Sequence, residues 1–474
     1  MSDRPERGTG LPRDSAFTIA AFITALLPRL FVAIAWAKEP VWDGHYYHFG
    51  AERIARGLGY SEDVLSHGLT LWKPWVHYPV GYSALLGLFY RIFGAELVVA
   101  PVVNALTGAL LVAVVHRVAR YYLSRDRARV AAGLTALHPG LIAYSAAVMT
   151  EPLAALLMLA AGLAALHFRG RFQAVLYAGV LLGFAALVRP ASLVAAPLLI
   201  LTQPRPLWQA AARAAVASVV ALLIVLPWTL RNCARLDGCV LVSTNGGWNL
   251  AIGAITETGR FQTLHGTDGC PIVTGQVQQD RCWGEVGRAK IAANPGHWLS
   301  LAPLKLAQTF DHESFAIEYL HEADPDSWPE PRRVAARELL TAFHRALLLF
   351  AALAVVSLPR WDPERHAEFF CQLSLGVLTV GIGIYAALSD AHPFYLLAVL
   401  APLAATLPIP GRPAQGPAGA YLLSLLAATA LTHVVFFGED RYHLVVTPML
   451  CILAAAAGRV HGTVTGPSLS ASAR

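Results

Sequence analysis

The sequence has few charged residues for its length, and this lack already decides its class. Only 14% of its 474 residues are charged, 56% are hydrophobic, and the mean hydropathy is +0.51. Such a composition excludes a water-soluble globular domain. Apolar runs near the ~20 residues that cross a bilayer recur along most of the chain. The sequence therefore predicts a multi-pass membrane protein that is mostly α-helical.

The common catalytic motifs are also missing. We find no glycine-rich phosphate loop after a strand, no nucleophile-elbow serine, no His-Glu-x-x-His helix and no internal repeat. The formal net charge of +6 comes from basic residues spread among the loops between apolar runs. This pattern is typical of a positive-inside membrane topology and not of nucleic-acid binding. Any chemistry must therefore come from polar residues at the membrane edge.

We predict about twelve membrane spans from the length of the apolar runs. They lie near Ala16–Trp36, Leu97–Val118, Val130–Val148, Pro152–Phe168, Ala174–Val188, Leu193–Leu201, Ala214–Leu230, Glu338–Leu358, Phe369–Leu388, Phe394–Pro408, Tyr421–Phe437 and Leu444–Val460. We interpret the shorter run Val80–Phe93 as a helix on the outer surface. This choice places the basic loops on the cytoplasmic side, as the positive-inside rule requires.

The largest segment outside the membrane is predicted to be a small mixed external subdomain at residues 231–337. It separates an N-terminal membrane region, residues 1–230, from a C-terminal one, residues 338–474. Four of the six cysteines lie in it: Cys233, Cys239, Cys270 and Cys282. An even number of cysteines favours disulfides in an oxidising compartment, and three pairings are possible. We prefer the local pairing, which closes the shortest loops, to a zinc site, which no Cys-x-x-Cys spacing supports.

The first external loop, residues 38–79, places one acid, Asp43, at a membrane edge among aromatic and histidine side chains. A carboxylate beside lipid is costly and often marks a functional site. After it, Ala51–Arg56 is predicted to form a short amphipathic helix that ends at Gly57. The structural alternative is that Asp43 caps this helix.

Further polar motifs follow in order along the chain. They are His77–Tyr82, Met149–Pro152, Leu187–Pro190, Leu226–Asn232, Ser243–Asn249 and Phe437–His443. Together with Asp43, their order resembles the membrane glycosyltransferases of the GT-C fold. That superfamily uses polyprenyl-phosphate sugars and includes protein mannosyltransferases and lipid A aminoarabinose transferases. Protein mannosyltransferases carry an Asp-Glu pair in the first loop, whereas Gly44 follows Asp43 here, which weakens a protein acceptor.

The resemblance implies an inverting transfer in which Asp43 takes the proton of the acceptor hydroxyl. The leaving polyprenyl phosphate is an anion and needs cations beside it. The candidates for binding the donor are Lys73, Arg189, Arg231, Arg441 and Tyr442. A divalent metal ion could share this role, with Glu151, His77 and His443 as a second acidic or metal site. The acceptor could be a lipid, a glycan or a protein.

Each of these residues also has a structural interpretation. Glu151 could be an acid at a helix start, Arg189 could extend to the interface from a helix end, and the segment Asn245–Asn249 could be a tight turn. The main alternative function is a transporter or flippase of lipid-linked sugars, which would place its charges near the middle of the membrane and show repeat symmetry. We place the protein in a bacterial inner membrane with its site facing the periplasm.

Overall fold

The computed structural model of the chain describes residues 10–66, 69–204, 206–271, 275–358 and 361–460. In these residues the protein is mostly helical, as the sequence predicts, and its strands form two small two-stranded sheets.

The N-terminal part, up to residue 235, holds ten α-helices and a hairpin among its described residues. The helices are α1 Gly10–Ala35, α2 Asp43–Ala55, α3 Val80–Phe93, α4 Val99–Ala119, α5 Arg125–Ala136, α6 Pro139–Ala143, α7 Glu151–His167, α8 Phe172–Val188, α9 Ala195–Leu198 and α10 Leu207–Arg235. Short 3₁₀ helices lie at Tyr144–Ala146, Pro190–Val194 and Leu199–Thr202. Strands β1 Ser61–Ser66 and β2 Leu69–Pro74 are antiparallel.

The middle part follows α10 and is built from shorter helices. They are α11 Gly246–Ile255, a 3₁₀ turn at Gly266–Asp268, α12 Gln276–Ala293, α13 Pro295–Ser300, α14 Ala302–Phe310 and α15 Phe315–Ala323. Two disulfides, Cys233–Cys239 and Cys270–Cys282, confirm the predicted local pairing.

The C-terminal part returns to longer helices. They are α16 Glu330–Ala352 with a 3₁₀ turn at Leu353–Val355, α17 His366–Leu388, α18 Tyr395–Thr406, α19 Gly416–Val435, a 3₁₀ helix at Asp440–Val445 and α20 Thr447–Ala454. Two short parallel strands, β3 Ser357–Leu358 and β4 Arg459–Val460, join the two ends of this part.

Six of the described helices are long and apolar enough to cross a membrane: α1, α4, α10, α16, α17 and α19. Shorter apolar helical segments are α3, α7, α8, α18 and residues 190–202. The membrane bundle is therefore supported by length and composition, but the predicted total of about twelve spans is not confirmed.

Two predicted spans are broken in the structure. The run Val130–Val148 is divided into α5, α6 and a 3₁₀ turn because Pro139 lacks an N–H and begins a new helix. The His138 side chain caps this new helix by accepting from the Leu141 N–H. The run Leu444–Val460 likewise contains only the short α20 before the chain turns into β4. Hydrophobicity alone did not reveal either break.

The first external loop differs from the prediction in two ways. Helix α2 begins at Asp43 itself, eight residues before the predicted start at Ala51. The loop then forms the β1–β2 hairpin, which the sequence analysis missed. Trp42, directly before α2, has a positive φ of 50°, an uncommon backbone conformation for a residue with a side chain. The Tyr319 hydroxyl holds this entry by accepting from the backbone N–H groups of Val41 and Val148.

Small residues allow α8 and α10 to pack closely. A Cβ atom on Gly179 would lie 2.7 Å from the Ala217 carbonyl oxygen, and one on Gly183 would lie 2.6 Å from the Ile224 side chain. This spacing of small residues is a common device where apolar helices associate within a bilayer. It fixes the end of α8, where Arg189 follows.

Candidate active site

Asp43 stands at the first position of α2 and is held by two side chains from other parts of the chain. The Tyr78 hydroxyl donates to its Oδ1 at 2.7 Å, and the Arg441 Nη1 donates to its Oδ2 at 2.6 Å. Burial raises the pKa of the Asp43 carboxyl. The Arg441 charge and the two hydrogen bonds lower the pKa by more than burial raises it, so it lies below its ordinary value. The carboxyl is therefore ionised at neutral pH.

Arg441 connects two carboxylates. Its Nε lies 2.7 Å from the Glu439 Oε2, while its Nη1 contacts Asp43. Its guanidinium also lies against the rings of Phe315 and Tyr442, 5.1 and 5.0 Å from their centroids. Burial raises the pKa of Glu439, and Arg441 lowers it only in part. One arginine therefore compensates two acids, and its position depends on both.

A second ion pair joins Glu151 and Arg189. Glu151 begins α7 and is fully buried, and the Arg189 Nη1 donates to its Oε1 at 2.6 Å and to the Thr150 hydroxyl at 3.1 Å. Arg189 also lies 5.4 Å from the centre of the Tyr442 ring. Tyr442 thus has one arginine from each ion pair against it, and it stacks on His433 at 4.3 Å.

A cavity of about 360 Å³, the central cavity, contains both ion pairs in its wall. Its lining includes Asp43, His77, Glu151, Arg189, Arg441 and Tyr442. Burial lowers the pKa of His77, and the nearby Asp43 charge offsets this only in part, so His77 is neutral at pH 7. Five sequence-predicted residues besides Asp43 therefore meet at one concave site.

Two neighbouring spaces share walls with the central cavity. A second cavity of about 660 Å³, lined in part by Arg260, His312 and Arg337, shares Asp43, Phe261 and Arg441 with it. A small and mostly apolar groove of about 50 Å³, lined by Met158, Val194, Leu425 and Ala428 among others, shares Arg189, Thr432 and Tyr442 with it. The Asp43–Arg441 pair thus separates two cavities, and Arg189 stands where the groove begins.

Two predicted donor-binding residues lie outside this arrangement. Lys73 stands in β2 opposite Glu62, and it does not line the central cavity. Arg231 donates from Nη2 to the Tyr60 carbonyl at 2.5 Å and lies 4.5 Å from the centre of the Trp228 ring. The hydrogen bond to Tyr60 holds the end of α10 against the first external loop.

The structure does not bring Glu151, His77 and His443 together as a set of metal ligands. His443 is fully buried beneath the site and contacts Glu313 and His344. In the central cavity Glu151 is paired with Arg189, and Asp43 is paired with Arg441. Among the described residues, the one His, Cys, Asp and Glu group with metal-ligand spacing is Glu313, His344 and His443. The acids of the cavity are therefore compensated by arginine cations, and they do not form a set of metal ligands.

Sequence reasoning missed two contributors to the site. Tyr78 and Glu439 lie inside motifs that the sequence analysis singled out, but neither was assigned a role. Their positions next to His77 and two residues before Arg441 were the available signal. Asn245, for which a turn was one interpretation, precedes α11 and lines the central cavity.

Comparisons with known proteins agree with the motif order over part of the chain. The family model of dolichyl-phosphate-mannose-protein mannosyltransferases matches residues 77–230. No curated protein matches the sequence significantly.

Solved structures resemble the chain at low sequence identity. The oligosaccharyltransferase of Archaeoglobus fulgidus, tethered to an acceptor peptide, is 14% identical with a TM-score of 0.45; the match covers 93% of this chain and 49% of that one. ArnT from Cupriavidus metallidurans, bound to undecaprenyl phosphate, is 15% identical with a TM-score of 0.37; the match covers 92% and 77%. The chain thus spans about half the length of the oligosaccharyltransferase.

Proposed function

We propose that the protein is an integral membrane glycosyltransferase that transfers a monosaccharide from a polyprenyl-phosphate donor to a lipid, glycan or protein acceptor, with inversion. Asp43 is the general base. The observation that carries this proposal is that the Asp43–Arg441 pair lies in the wall between two cavities, one of which continues into an apolar groove. The match of residues 77–230 to the mannosyltransferase family supports it independently.

The donor occupies the central cavity, with the part of its lipid next to the phosphate in the apolar groove. A polyprenyl chain needs an apolar path beside the membrane, and its phosphate needs cations where that path ends. Arg189 lines both spaces and Arg441 lines the central cavity. Guanidinium groups beside a leaving phosphate stabilise its negative charge through charge-assisted hydrogen bonds. The sugar then lies on the Asp43 side of the phosphate.

The acceptor approaches through the second cavity. Inversion requires the hydroxyl to attack the anomeric carbon from the face opposite the phosphate, so the base must face away from the phosphate site. Asp43 lines both cavities and meets this requirement. Its carboxylate takes the hydroxyl proton while the new glycosidic bond forms and the bond to phosphate breaks. The lining of the second cavity carries charges of both signs, with Arg260 and Arg337 beside Glu318 and Asp440, so it favours no single class of acceptor.

The base becomes stronger when the donor is bound. In the free protein Arg441 lowers the pKa of Asp43 and thereby weakens it as a base. A donor phosphate competes with Asp43 and Glu439 for the same guanidinium. When Arg441 turns toward the phosphate, the Asp43 pKa rises, so proton removal is coupled to the presence of the donor.

We propose a bacterial inner membrane as the location, with the site facing the periplasm. Two disulfides lie in the segment between residues 231 and 337, and disulfides persist in oxidising compartments.

The test is sugar transfer by the purified protein from a panel of radiolabelled undecaprenyl-phosphate sugars. We compare the wild type with Asp43→Asn and with a control, Asp390→Asn, which changes an exposed acid outside both cavities. We expect Asp43→Asn to lose turnover by at least about a hundredfold while it still binds the donor, and Asp390→Asn to be active. Equal turnover in Asp43→Asn would contradict the assigned base. Lipid movement across vesicles without transfer from any donor would instead favour the transporter.

A further inference from the structure

A cluster of buried titratable side chains lies outside the central cavity and has no part in the proposed reaction. It consists of Glu313 in the loop before α15, His344 in α16 and His443 in the 3₁₀ helix before α20. Their ligand atoms all lie within 4.8 Å of one another. All three side chains are at most 2% exposed. A buried carboxylate needs compensation, because the cost of burying an unpaired charge is large.

The tautomers of the two histidines follow from their backbone contacts. The His443 Nδ1 lies 2.7 Å from the Thr309 carbonyl oxygen, and the His344 Nε2 lies 2.8 Å from the Phe310 carbonyl oxygen. A carbonyl only accepts, so each of these nitrogens carries the hydrogen. The other nitrogen of each ring is therefore the one that can present a lone pair to a cation.

Both of these nitrogens lie near the same carboxylate oxygen. The His443 Nε2 lies 3.3 Å from the Glu313 Oε2, and the His344 Nδ1 lies 3.8 Å from that atom. The His344 Nδ1 has no hydrogen-bond partner although it is fully buried. Two lone pairs and an anionic oxygen repel one another unless a cation lies among them. One proton can bind only one of these nitrogens, whereas one metal ion can bind both.

A third histidine, His138, faces the Glu313 carboxylate with a nitrogen that carries a hydrogen. The His138 Nδ1 accepts from the Leu141 N–H, so its Nε2 carries the hydrogen and faces the Glu313 Oε2 at 3.8 Å. His138 is thereby placed to orient the carboxylate and not to bind a metal. The other carboxylate oxygen fits against Gly140, where a Cβ atom would lie 1.3 Å from it. The carboxylate position is thus enclosed on two sides.

We propose that Glu313, His344 and His443 bind a zinc ion. Two imidazoles and one carboxylate form a recurrent zinc ligand set, with bonds of about 2.0–2.2 Å, so tetrahedral ligand atoms lie roughly 3.3–3.5 Å apart. The Glu313 Oε2 lies 3.3 and 3.8 Å from the two ring nitrogens, and the whole set lies within 4.8 Å, so the ligand atoms move closer together and the stacked rings turn when the ion binds. The hydrogen bonds from both rings to backbone carbonyls are typical of metal-binding histidines, whose orientation they fix.

The zinc ion has a positioning role. It joins the loop after α14, helix α16 and the 3₁₀ helix that carries Arg441 two residues before His443. It therefore fixes the segment from which Arg441 reaches Asp43. This site is distinct from the central cavity, whose lining does not include the three ligands.

The first measurement is the zinc content of the untagged full-length protein, purified and then dialysed against a weak chelator. We expect one zinc ion per chain in the wild type, and loss of more than about nine-tenths of it in His344→Ala and His443→Ala. The control is His116→Ala, which removes a histidine equally buried elsewhere, in α4. A second control is Glu151→Gln, which changes the central cavity. Both controls should retain zinc.

The proposal would be overturned if the wild type stayed free of zinc after incubation with stoichiometric zinc. It would also be overturned if Glu151→Gln lost zinc while His344→Ala and His443→Ala kept it. A second measurement covers the case in which the alanine variants do not fold. X-ray absorption at the zinc edge should show nitrogen and oxygen neighbours only in the wild type, and one sulfur at about 2.3 Å in His443→Cys. A sulfur-containing shell in the wild type, or none in His443→Cys, would contradict the ligand assignment.

Discussion

At the scale of single residues, the site is organised by shared charges. Arg441 lies between Asp43 and Glu439, and Arg189 is paired with Glu151. The order of the motifs indicated Asp43, Glu151, Arg189 and Arg441 as single candidates. It did not predict which acid pairs with which arginine. Asp43 and Arg441 are 398 positions apart, and no local pattern encodes such a contact.

The first residue prediction concerns pH. The Asp43 pKa is held below its ordinary value by Arg441, and the base must be ionised to act. We expect Arg441→Gln to raise that pKa, so the acidic limb of kcat/KM should move to higher pH by about 1–3 pH units. The pH profile of transfer measures this. Arg235→Gln, an exposed arginine at the end of α10, serves as control. An unmoved limb in Arg441→Gln would show that the pair does not set the pKa of the base.

The same pair has a consequence for stability. Because the folded-state pKa of Asp43 is lowered, its contribution to stability is present above the pKa of the unfolded chain and is lost as pH falls through the folded pKa. Thermal unfolding of Asp43→Asn should therefore depend less on pH in the acidic range than that of the wild type. An identical dependence in both proteins would contradict this.

The second residue prediction concerns Gly44, which directly follows Asp43. A Cβ atom there would lie 2.5 Å from the Tyr319 Oη and 3.0 Å from the Val148 carbonyl oxygen. We expect Gly44→Ala to reduce the free energy of unfolding by about 1–3 kcal/mol, because overpacking forces neighbours apart. Gly133→Ala, which meets open space in α5, is the matched control. Thermal unfolding in detergent compares them, and equal midpoints would refute the steric explanation.

At the scale of elements, the middle part supports the site through one small apolar cluster. Cys270, Trp283, Phe437 and Tyr442 pack together in it, so the Cys270–Cys282 disulfide is linked by contact to a wall of the central cavity. The Cys233–Cys239 disulfide instead joins the last turn of α10 to the loop that follows it. The two bonds therefore differ in what their loss should do.

We expect Cys270→Ser with Cys282→Ser to lower both stability, by about 2–3 kcal/mol, and transfer activity. The matched control is Cys233→Ser with Cys239→Ser, which should reduce activity less because its loop is shorter and has no contact with Tyr442 in the apolar cluster. Unfolding curves and initial rates of both double variants give the comparison. A larger loss of activity in the control would show that the cluster does not carry the effect.

The sequence predicted whole helices correctly where a long apolar run contains no helix-breaking residue. It was wrong where the backbone ends one helix and begins another inside an apolar run. The long apolar runs became α1, α4, α10, α16, α17 and α19. The run across His138 and Pro139 reads as one apolar segment, yet proline begins a new helix within it. The β1–β2 hairpin lies in a polar stretch with no strong alternation, so its strands left little trace in the sequence.

At the scale of the whole molecule, helices distant in sequence combine to form the apolar groove. Met158 comes from α7, Val194 from the 3₁₀ helix after Arg189, and Leu425 from α19. The groove, like the Glu313, His344 and His443 cluster, is formed by three-dimensional packing, so the sequence alone could not locate it. His443 shows why. Its own motif is visible in the sequence, but its partners Glu313 and His344 lie 130 and 99 positions before it.

The groove predicts a dependence on the prenyl chain of the donor. We expect Ala428→Trp to fill the groove and to raise KM for a polyprenyl-phosphate sugar at least about tenfold, while KM for a sugar-phosphate donor without a prenyl chain stays unchanged, since only the prenyl chain makes apolar contact there. Ala427→Trp, on the neighbouring position of α19 outside the groove lining, is the matched control. Kinetics with both donors test this. An equal rise for both donors would place the lipid elsewhere.

The distance between Asp43 and Arg441 along the chain also has a meaning for biosynthesis. A ribosome delivers residue 43 to the membrane long before it has made residue 441, so for most of translation the acid exists without its arginine. The reaction centre can therefore assemble only after the helices between them have been inserted. A truncated product would carry an incomplete site, and the cell would meet no active fragment while the protein is being made.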